Sequence, residues 1–271
     1  MAGFVVVFDF DKTIIDCDSD NWVVDELNFT DLFNQLLSTI PWNSLMDRMM
    51  DELHAQGKTI QDIVDVLKRA PIHPCVIPAI KAAHDLGSDL KIVSDANTFF
   101  IETILNHYGI RELFSEIYTN PSFIDDEGRL KIFPHHNFTE SPHGCNTYTC
   151  PPNMCKGKVI EKIQASMPEE KKIIYLGDGA GDFCPSLKLR DTDFLMPRKD
   201  FPVWDLICKS KNLIRAEIHE WTDGEDLQNV LLQIINSSNI STEEEEEDNN
   251  GDSSKIISVD CKFQKIPVSA H

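Results

Sequence analysis

An apolar run at residues 4–8 leads directly into a pair of carboxylates, Asp9 and Asp11. A short apolar run without alternation is typical of a strand buried on both faces, as in the centre of a parallel sheet. Ligands of open α/β sheets bind at the carboxyl ends of the strands, where Asp9 and Asp11 stand, with the hydroxyl of Thr13 close behind. The stretch therefore predicts a central strand that delivers polar groups to one cleft.

Two carboxylates this close cannot both be ionised in a dry site, so either one is protonated or a cation neutralises them. Both outcomes suit phosphoryl transfer. Asp9 can attack as a nucleophile and form an aspartyl-phosphate, while Asp11 can protonate the leaving alcohol and later activate water. Mg²⁺ would screen the repulsion between carboxylate and phosphate. Taken alone, the same pattern also fits a strand that ends in a solvated acidic turn.

The charge balance argues against some classes of partner. The 271 residues carry a formal net charge of −20, and removing the seven acids of the segment 243–252 leaves −13. An acidic chain is a poor partner for nucleic acid or for an anionic membrane surface. A small phosphorylated substrate is compatible with this charge if the site supplies cations locally.

The chain shows no sign of secretion or of a membrane span. No charged segment followed by an apolar segment precedes the first predicted strand. No apolar run approaches the roughly 20 residues that a transmembrane helix requires. We therefore expect a cytoplasmic protein in which the eight cysteines are reduced.

The region between the first two predicted strands is helical. Helices are predicted over 20–37, 43–55 and 59–69, which is far more chain than the roughly 12 residues of a simple crossover. We expect these helices to form a cap over the site. The expected domains are a catalytic core of residues 1–15 and 88–236, a helical cap of residues 16–87 and an acidic, largely disordered tail of residues 237–271.

Strands and helices alternate along the rest of the chain, which predicts an α/β fold with a doubly wound parallel sheet. A β-hairpin is predicted at 123–133, and residues 134–155 have no regular pattern. The remaining predicted elements are strands 89–95, 116–119, 171–176, 192–196 and 213–218, and helices 98–108, from 156 onward, 183–189, 202–210 and 224–237.

Four polar signals follow one another at predicted strand ends or helix starts. The first is the Asp9 segment, and the others are Ser94, Lys156 and the pair Asp178 and Asp182. A phosphatase that forms an aspartyl-phosphate needs a nucleophile, an acid/base, groups that hold phosphate oxygens and carboxylates for a metal. Each signal alone has a commoner structural explanation, such as a capped turn, but the four in this order indicate one site.

With these motifs the chain resembles the haloacid-dehalogenase superfamily of phosphatases from residue 4 to about 235. The segment 9–13 matches its first motif, Ser94 its second, Lys156 its third and 177–182 its fourth, and the helical insertion matches a cap of the C1 type. The resemblance implies a Rossmann-like core that hydrolyses phosphate esters with Mg²⁺. It assigns Asp9 as nucleophile, Asp11 as acid/base, Thr13, Ser94 and Lys156 to the phosphoryl group, and Asp9, the Asp11 carbonyl and Asp178 to the metal, with Asp182 nearby.

A closer resemblance is to the phosphoethanolamine/phosphocholine phosphatase family. The matching segments are 8–16, 18–20, 94–97 and 181–185, together with Cys150-Pro151 and Met154-Cys155-Lys156. That family includes members assigned to pyrophosphate, among them plant-type members, and others assigned to pyridoxal phosphate and thiamine monophosphate. Gly181 stands where several relatives have Asn.

The preferred substrates of that family carry a cation near the phosphate, which a carboxylate or an aromatic face can bind. We expect Asp20 and Asp95 to bind the amine, with Trp22 as a possible aromatic face. Asp20 has an alternative role as a helix N-cap, and Trp22 as part of the cap core.

Three other functions remain open, and one of them, a phosphotransferase, would share the first chemical step and differ only in the acceptor. Pyrophosphate hydrolysis would use the same mechanism, although Asp20 and Asp95 would repel so anionic a substrate. A phosphate-sensing or partner-binding protein could use the same fold without turnover, but it would have no need of the acid/base Asp11.

The cysteines of the irregular segment raise the question of a zinc site. Cys145, Cys150 and Cys155 stand near three histidines, but their spacing of four intervening residues is not the paired C-x₂-C of common zinc sites. We therefore favour a loop of packed thiols and leave metal binding open. Cys17 and Cys184 are expected to have packing roles. The three histidines are His135, His136 and His143.

Overall fold

The computed structural model describes residues 3–147 and 149–243. They form a six-stranded parallel sheet covered by helices on both faces, a two-stranded hairpin, and a group of helices between the first two strands. The strands are β1 (Phe4–Phe8), β2 (Asp89–Asn97), β3 (Phe114–Asn120), β4 (Ser122–Ile124), β5 (Leu130–Ile132), β6 (Lys172–Gly177), β7 (Phe194–Pro197) and β8 (Glu217–Ile218). The helices are α1 (Ser19–Glu26), α2 (Thr30–Leu36), α3 (Trp42–Ala55), α4 (Ile60–Leu67), α5 (Val76–Asp85), α6 (Thr98–His107), α7 (Lys156–Ser166), α8 (Phe183–Ser186), α9 (Pro202–Lys209) and α10 (Gly224–Glu243).

Strand β1 lies at the centre of the sheet, which has the order β3-β2-β1-β6-β7-β8. Val5 and Val7 pack into one core with α7 and α9, whereas Val6 and Phe8 pack into the other with α5, α6 and α10. Both faces of β1 are therefore buried, which is why its sequence is apolar without alternation. The predicted α/β fold with a doubly wound parallel sheet is confirmed.

The strand order places three functional segments at one edge of the sheet. β2 pairs with one side of β1, and β6 pairs with the other, all in parallel. Their carboxyl ends therefore lie side by side where the winding direction changes, which is the position at which such sheets bind ligands. Asp9 follows β1, Ser94 and Asp95 lie near the end of β2, and Asp178 follows β6.

Helices α1–α4 lie in the region predicted to form the cap, and they are called the cap below. The predicted helix 20–37 is interrupted at Asn28, whose φ of 66° ends α1 before α2 begins. Helix α5 packs against α10 and leads directly into β2. The backbone N–H of Asp16 donates to the carbonyl of Pro71 (2.7 Å), which joins the two linkers. We infer that the cap ends near Pro71 and that α5 belongs to the core.

Three predicted elements near the C-terminus have different lengths in the structure. The predicted strand 213–218 is reduced to the two residues of the edge strand β8, because Lys211–Leu213 form a 3₁₀ turn. The predicted helix 183–189 ends at Ser186. Helix α10 continues past the predicted start of the tail at residue 237, and the rest of that tail, residues 244–271, lies outside the described residues.

Among the helices of residues 3–147 and 149–243, none combines the length and the apolar character that crossing a membrane requires.

The buried face of the cap predicts a stability difference between two leucines. Leu53 of α3 is fully buried, whereas Leu37, just after α2, is 43% exposed. Leu53→Ala should lower the free energy of unfolding by about 2–5 kcal/mol because it leaves a cavity. Leu37→Ala should change it by less than about 0.5 kcal/mol. Urea unfolding of both variants checks this, and equal effects would contradict the packing described for the cap.

Candidate active site

The chain turns sharply after β1. The Asp9 backbone N–H still donates to Leu176 of β6 (2.9 Å), so this residue continues the sheet. Lys12 then adopts a φ of 53°, in the left-handed region that a residue with a side chain seldom visits. The Lys12 N–H donates to the carbonyl of Cys17 (3.0 Å), and the Ile14 N–H to that of Phe10 (2.9 Å). The turn directs Asp9 and Asp11 into the same cavity.

Lys156, the first residue of α7, links two of the buried carboxylates. Its Nζ lies 2.8 Å from Asp9 Oδ2 and 2.8 Å from Asp182 Oδ1. Burial lowers the pKa of Lys156, but the negative charges of Asp182 and Asp9 outweigh burial and raise it above its usual range. The lysine is therefore a fixed positive charge beside the nucleophile predicted at Asp9.

The carboxylate of Asp182 organises the loop that follows β6. Its Oδ1 accepts from Lys156 and from the hydroxyl of Tyr175 (2.6 Å), and its Oδ2 accepts from the backbone N–H groups of Asp178 (3.1 Å) and Gly179 (2.9 Å). A Cβ at Gly177 would lie 2.4 Å from Cγ of Asp182. A glycine is therefore needed at the end of β6 for this carboxylate to reach the loop.

Asp9, Asp178 and Asp182 offer an oxygen-donor set for a metal ion. One carboxylate oxygen of each lies within 4.8 Å of the others, and all three residues are buried. Burial and the charge of Asp182 raise the pKa of Asp178 to about 7, and the same two causes raise the pKa of Asp9. Hard divalent cations such as Mg²⁺ prefer such oxygen ligands and would remove this repulsion. Because Asp182 already accepts four hydrogen bonds, Asp9 and Asp178 would be the better placed ligands.

Asp11 has the environment of a proton donor. Its Oδ1 accepts the backbone N–H of Ser19 at 3.0 Å. Burial, followed by the charges of Asp18, Asp20 and Asp9, raises the pKa of Asp11 well above its usual value. A raised pKa favours the protonated form of Asp11, which can pass its proton to a leaving group.

These side chains line one cavity of about 300 Å³ at the carboxyl ends of the central strands, which is bordered by Asp18 at the start of the cap and by the irregular segment before α7. Ser94 and Lys156 lie on its wall with the carboxylates described above, as do Asp18 and Asp95. The carboxylate of Asp95 accepts hydrogen bonds from the side-chain amides of Asn120 and Asn153. The structure thus brings together seven predicted site residues: Asp9, Asp11, Ser94, Asp95, Lys156, Asp178 and Asp182.

Two predicted site residues do not line this cavity. Asp20 is 5% exposed, and its Oδ2 accepts from Nε1 of Trp42 (2.7 Å) inside the cap. It is not the N-cap of α1 either, because Asp18 accepts the N–H of Asn21 (2.9 Å). Thr13 is buried, and its hydroxyl has no hydrogen-bond partner among the described residues. Its contact with phosphate stays a prediction.

The indole of Trp22 also lies away from the cavity. Its Nε1 donates to the carbonyl of Val66 in α4 (3.0 Å), and the ring packs on the core of the cap. Trp22 therefore packs in the core of the cap, which was the alternative to binding the substrate amine.

Three kinds of contributor to the site were not predicted from the sequence. Aspartates recur at every second position from Asp16 to Asp20, and this repetition was the available signal for Asp18 as a further carboxylate of the cavity. Tyr175 reads as an ordinary core residue of a strand. Asn120 and Asn153 stand 33 residues apart and meet only in the folded chain.

Comparison with known proteins gives the class of this fold and site. The model of the family described as "Putative Phosphatase" matches residues 4–235. Inorganic pyrophosphatase 1 of Arabidopsis thaliana is 61% identical over 262 residues, which are 96% of this chain and 87% of that protein. Human phosphoethanolamine/phosphocholine phosphatase is 31% identical over 86% of this chain and 90% of its own length.

A solved structure supports the fold. A substrate-bound phosphoserine phosphatase aligns with a TM-score of 0.55 at 15% identity, over 86% of this chain and 99% of that one. The protein is a phosphatase, and its fold is consistent with the haloacid-dehalogenase superfamily that its motifs resemble. Within that class, the chain belongs to the phosphatase family whose model spans its residues 4–235. Phosphatases of this superfamily generally use Mg²⁺, and their activity implies a phosphorylated small-molecule substrate.

The environment of Asp20 predicts a pH-dependent effect on stability. Burial, and then the charge of Asp18, raises the pKa of Asp20 well above 3.8 in the folded protein. The folded state then binds this proton more tightly than the unfolded chain, so the contribution of Asp20 to stability falls as the pH rises from about 4 through the raised pKa. Asp20→Asn should become more stable relative to the wild type as the pH increases over this range.

Urea unfolding at pH 4 to 8 measures this difference. Asp126→Asn, at an exposed position of the hairpin turn, is the matched control and should show no such trend. A constant difference between Asp20→Asn and the wild type across this pH range would contradict the raised pKa.

Proposed function

We propose that this phosphatase hydrolyses small phosphomonoesters that carry a cationic group, with phosphoethanolamine and phosphocholine as the preferred substrates. The observation behind the proposal is the position of Asp18 and Asp95 on the cavity wall. Neither forms an ion pair with a basic side chain in the described residues. A substrate that places its phosphate at Lys156 and its ammonium at these carboxylates satisfies both ends of the cavity.

The expected role of Asp20 changes in this proposal. Asp20 is hydrogen-bonded to Trp42 and does not line the cavity, so it is not positioned to touch the amine. Asp18 takes its place as the cap carboxylate that faces the substrate. Asp95 keeps the role expected from the sequence, and the amides of Asn120 and Asn153 hold it in position.

Asp9 carries the first step of the proposed mechanism. Its Oδ1 accepts the backbone N–H of Phe10 (2.7 Å) and its Oδ2 lies at Lys156, so the carboxylate is oriented before substrate binds. One of its oxygens forms a bond to phosphorus while the bond from phosphorus to the ester oxygen breaks. Asp11 gives its proton to the departing oxygen, and Ser94 and Lys156 hold phosphoryl oxygens.

The second step regenerates the enzyme. Asp11, now ionised, takes a proton from water, whose oxygen bonds to phosphorus as the bond to Asp9 breaks. Bound Mg²⁺, held by Asp9, Asp178 and the carbonyl of Asp11, would neutralise charge on the phosphoryl group. Asp182 holds Lys156 and the loop after β6 in place throughout.

Pyrophosphate is the second candidate substrate. It is favoured by the 61% identity to a protein named inorganic pyrophosphatase. Its second phosphoryl group would approach Asp18 and Asp95, so an additional cation would have to accompany it. A non-enzymatic phosphate sensor is the third possibility, and the raised pKa of Asp11 argues against it because a sensor needs no proton donor.

Phosphate release from a panel of substrates tests the specificity. The panel contains phosphoethanolamine, phosphocholine, pyrophosphate, pyridoxal phosphate, thiamine monophosphate and a neutral alkyl phosphate, with Asp9→Asn as the blank. We expect kcat/KM for the first two to exceed that for the neutral ester at least about tenfold, the factor that corresponds to about 1.4 kcal/mol. Asp18→Asn and Asp95→Asn should abolish this preference, and Asp20→Asn should keep it. Fastest turnover of pyrophosphate would overturn the proposed specificity.

The role of Asp11 predicts a dependence on the leaving group. Asp11→Asn should lower kcat for alkyl phosphates by about 10²–10⁴, because the alkoxide then leaves without a proton. The loss should be much smaller for p-nitrophenyl phosphate in the first step, since its leaving group needs no protonation. Burst kinetics with both substrates separate the first step from the second. An equal loss for the two leaving groups in the burst phase would contradict proton donation by Asp11.

A further inference from the structure

Four cysteine thiols converge beside the active site. Cys145, Cys150 and Cys155 come from the irregular segment before α7, and Cys184 comes from α8. The Sγ–Sγ distances are 3.6 Å for Cys145–Cys150, 3.7 Å for Cys150–Cys155, 3.8 Å for Cys155–Cys184 and 3.7 Å for Cys145–Cys184. All four sulfur atoms lie within 4.8 Å of one another.

These distances match the edges of a tetrahedron around one metal ion. A Zn–S bond of about 2.3 Å in tetrahedral geometry places neighbouring sulfur atoms about 3.8 Å apart. A disulfide would bring two sulfur atoms to about 2.05 Å, so the thiols are not paired covalently. Four equivalent thiols around one point are the ligand set of structural zinc sites.

We propose that Cys145, Cys150, Cys155 and Cys184 bind a structural zinc ion. All four coordination positions are filled by the protein, so the ion has no open position for substrate. This inference is independent of the substrate proposed above. The spacing of the first three cysteines did not identify the site, because the fourth ligand lies 29 residues after Cys155.

The surroundings of the thiols are built to fit such a site. A Cβ at Gly157 would lie 2.5 Å from Sγ of Cys184, so the glycine makes room for the thiol beside α7. His143 joins the two turns that carry the first cysteines, since its Nδ1 accepts the N–H of Cys145 (3.0 Å) and its Nε2 lies 3.0 Å from the carbonyl of Pro151. Histidine thus supports the ligands here without being one.

Charge also favours a metal at this position. Zinc with four thiolates carries a net charge of −2, which neighbouring cations can offset. Lys158 and Lys188 line the same surface recess as Cys145 and Cys155. Glu161 also lines it and pairs with Lys188 at 2.6 Å, so Lys158 is the cation there that can offset the charge of the site. The other two histidines of the segment lie elsewhere: His135 Nδ1 lies 3.1 Å from the carbonyl of Thr119, and the ring of His136 packs between those of His135 and His143.

The zinc ion would fix two parts of the active site relative to each other, namely the segment that leads into Lys156 and the helix α8 that follows Asp182. Cys155 directly precedes Lys156, and Cys184 follows Asp182 by two residues. Asn153, between Cys150 and Cys155, donates to the carboxylate of Asp95. By joining the irregular segment to α8, the ion would fix the relative positions of Lys156, Asp182 and the substrate-facing Asp95. Loss of the ion should lower both stability and activity.

Metal analysis of the full-length protein tests the proposal. The protein is purified without added zinc, dialysed against buffer with Mg²⁺, and measured by inductively coupled plasma mass spectrometry. We expect about one zinc per chain, as in a closed four-cysteine site. Cys150→Ser should lose most of this zinc, whereas Cys208→Ser, at an exposed cysteine outside the cluster, should keep it.

A second measurement keeps the test decisive if Cys150→Ser does not fold. Titration of the wild-type protein with an organomercurial should release the zinc in step with modification of the four thiols, and cobalt reconstitution should produce thiolate-to-cobalt charge-transfer bands. Wild-type protein without stoichiometric zinc, with iron in its place, or with disulfides among these cysteines would overturn the proposal.

Discussion

The ion network around Lys156 is the interaction on which the site depends. One ammonium group lies against Asp9 and Asp182, with Asp178 close by, and all four side chains are buried. Charges buried this way are costly unless they are paired and hydrogen-bonded. The lysine and the donors around Asp182 meet that need in part, and the charge that remains is negative. The site is therefore prepared for a cation and for a phosphoryl group that the cation can hold.

The fold supplies this network by placing several chain segments at one edge of the sheet. Three adjacent parallel strands end there, and the first turn of α7 brings the lysine. Two glycines allow the close approaches: Gly177 admits the Asp182 carboxylate, and Gly157 admits the Cys184 thiol. The second approach brings Cys184 to the other three cysteines, so the proposed zinc ion and the ion network would stabilise the same pair of segments.

Much of this arrangement is predictable from local sequence. The apolar run of β1 and the polar groups at strand ends report a parallel sheet and a common site, because both signals depend on neighbouring residues and on general rules of sheet winding. What escapes prediction depends on distant partners. Asp20 pairs with Trp42, α5 packs on α10, and Cys184 joins three cysteines far before it. No periodicity in one segment carries that information.

Direct detection of the covalent intermediate tests the assignment of Asp9 as the nucleophile. The enzyme, with Mg²⁺ and phosphoethanolamine, is quenched in acid during turnover, and the phosphorylated peptide is sequenced by mass spectrometry. We expect a phosphoryl group on Asp9 and none on Asp11, because Lys156 and the Phe10 N–H orient the Asp9 carboxylate for attack. Turnover with a phosphoryl group on another residue, or with none on Asp9, would contradict it.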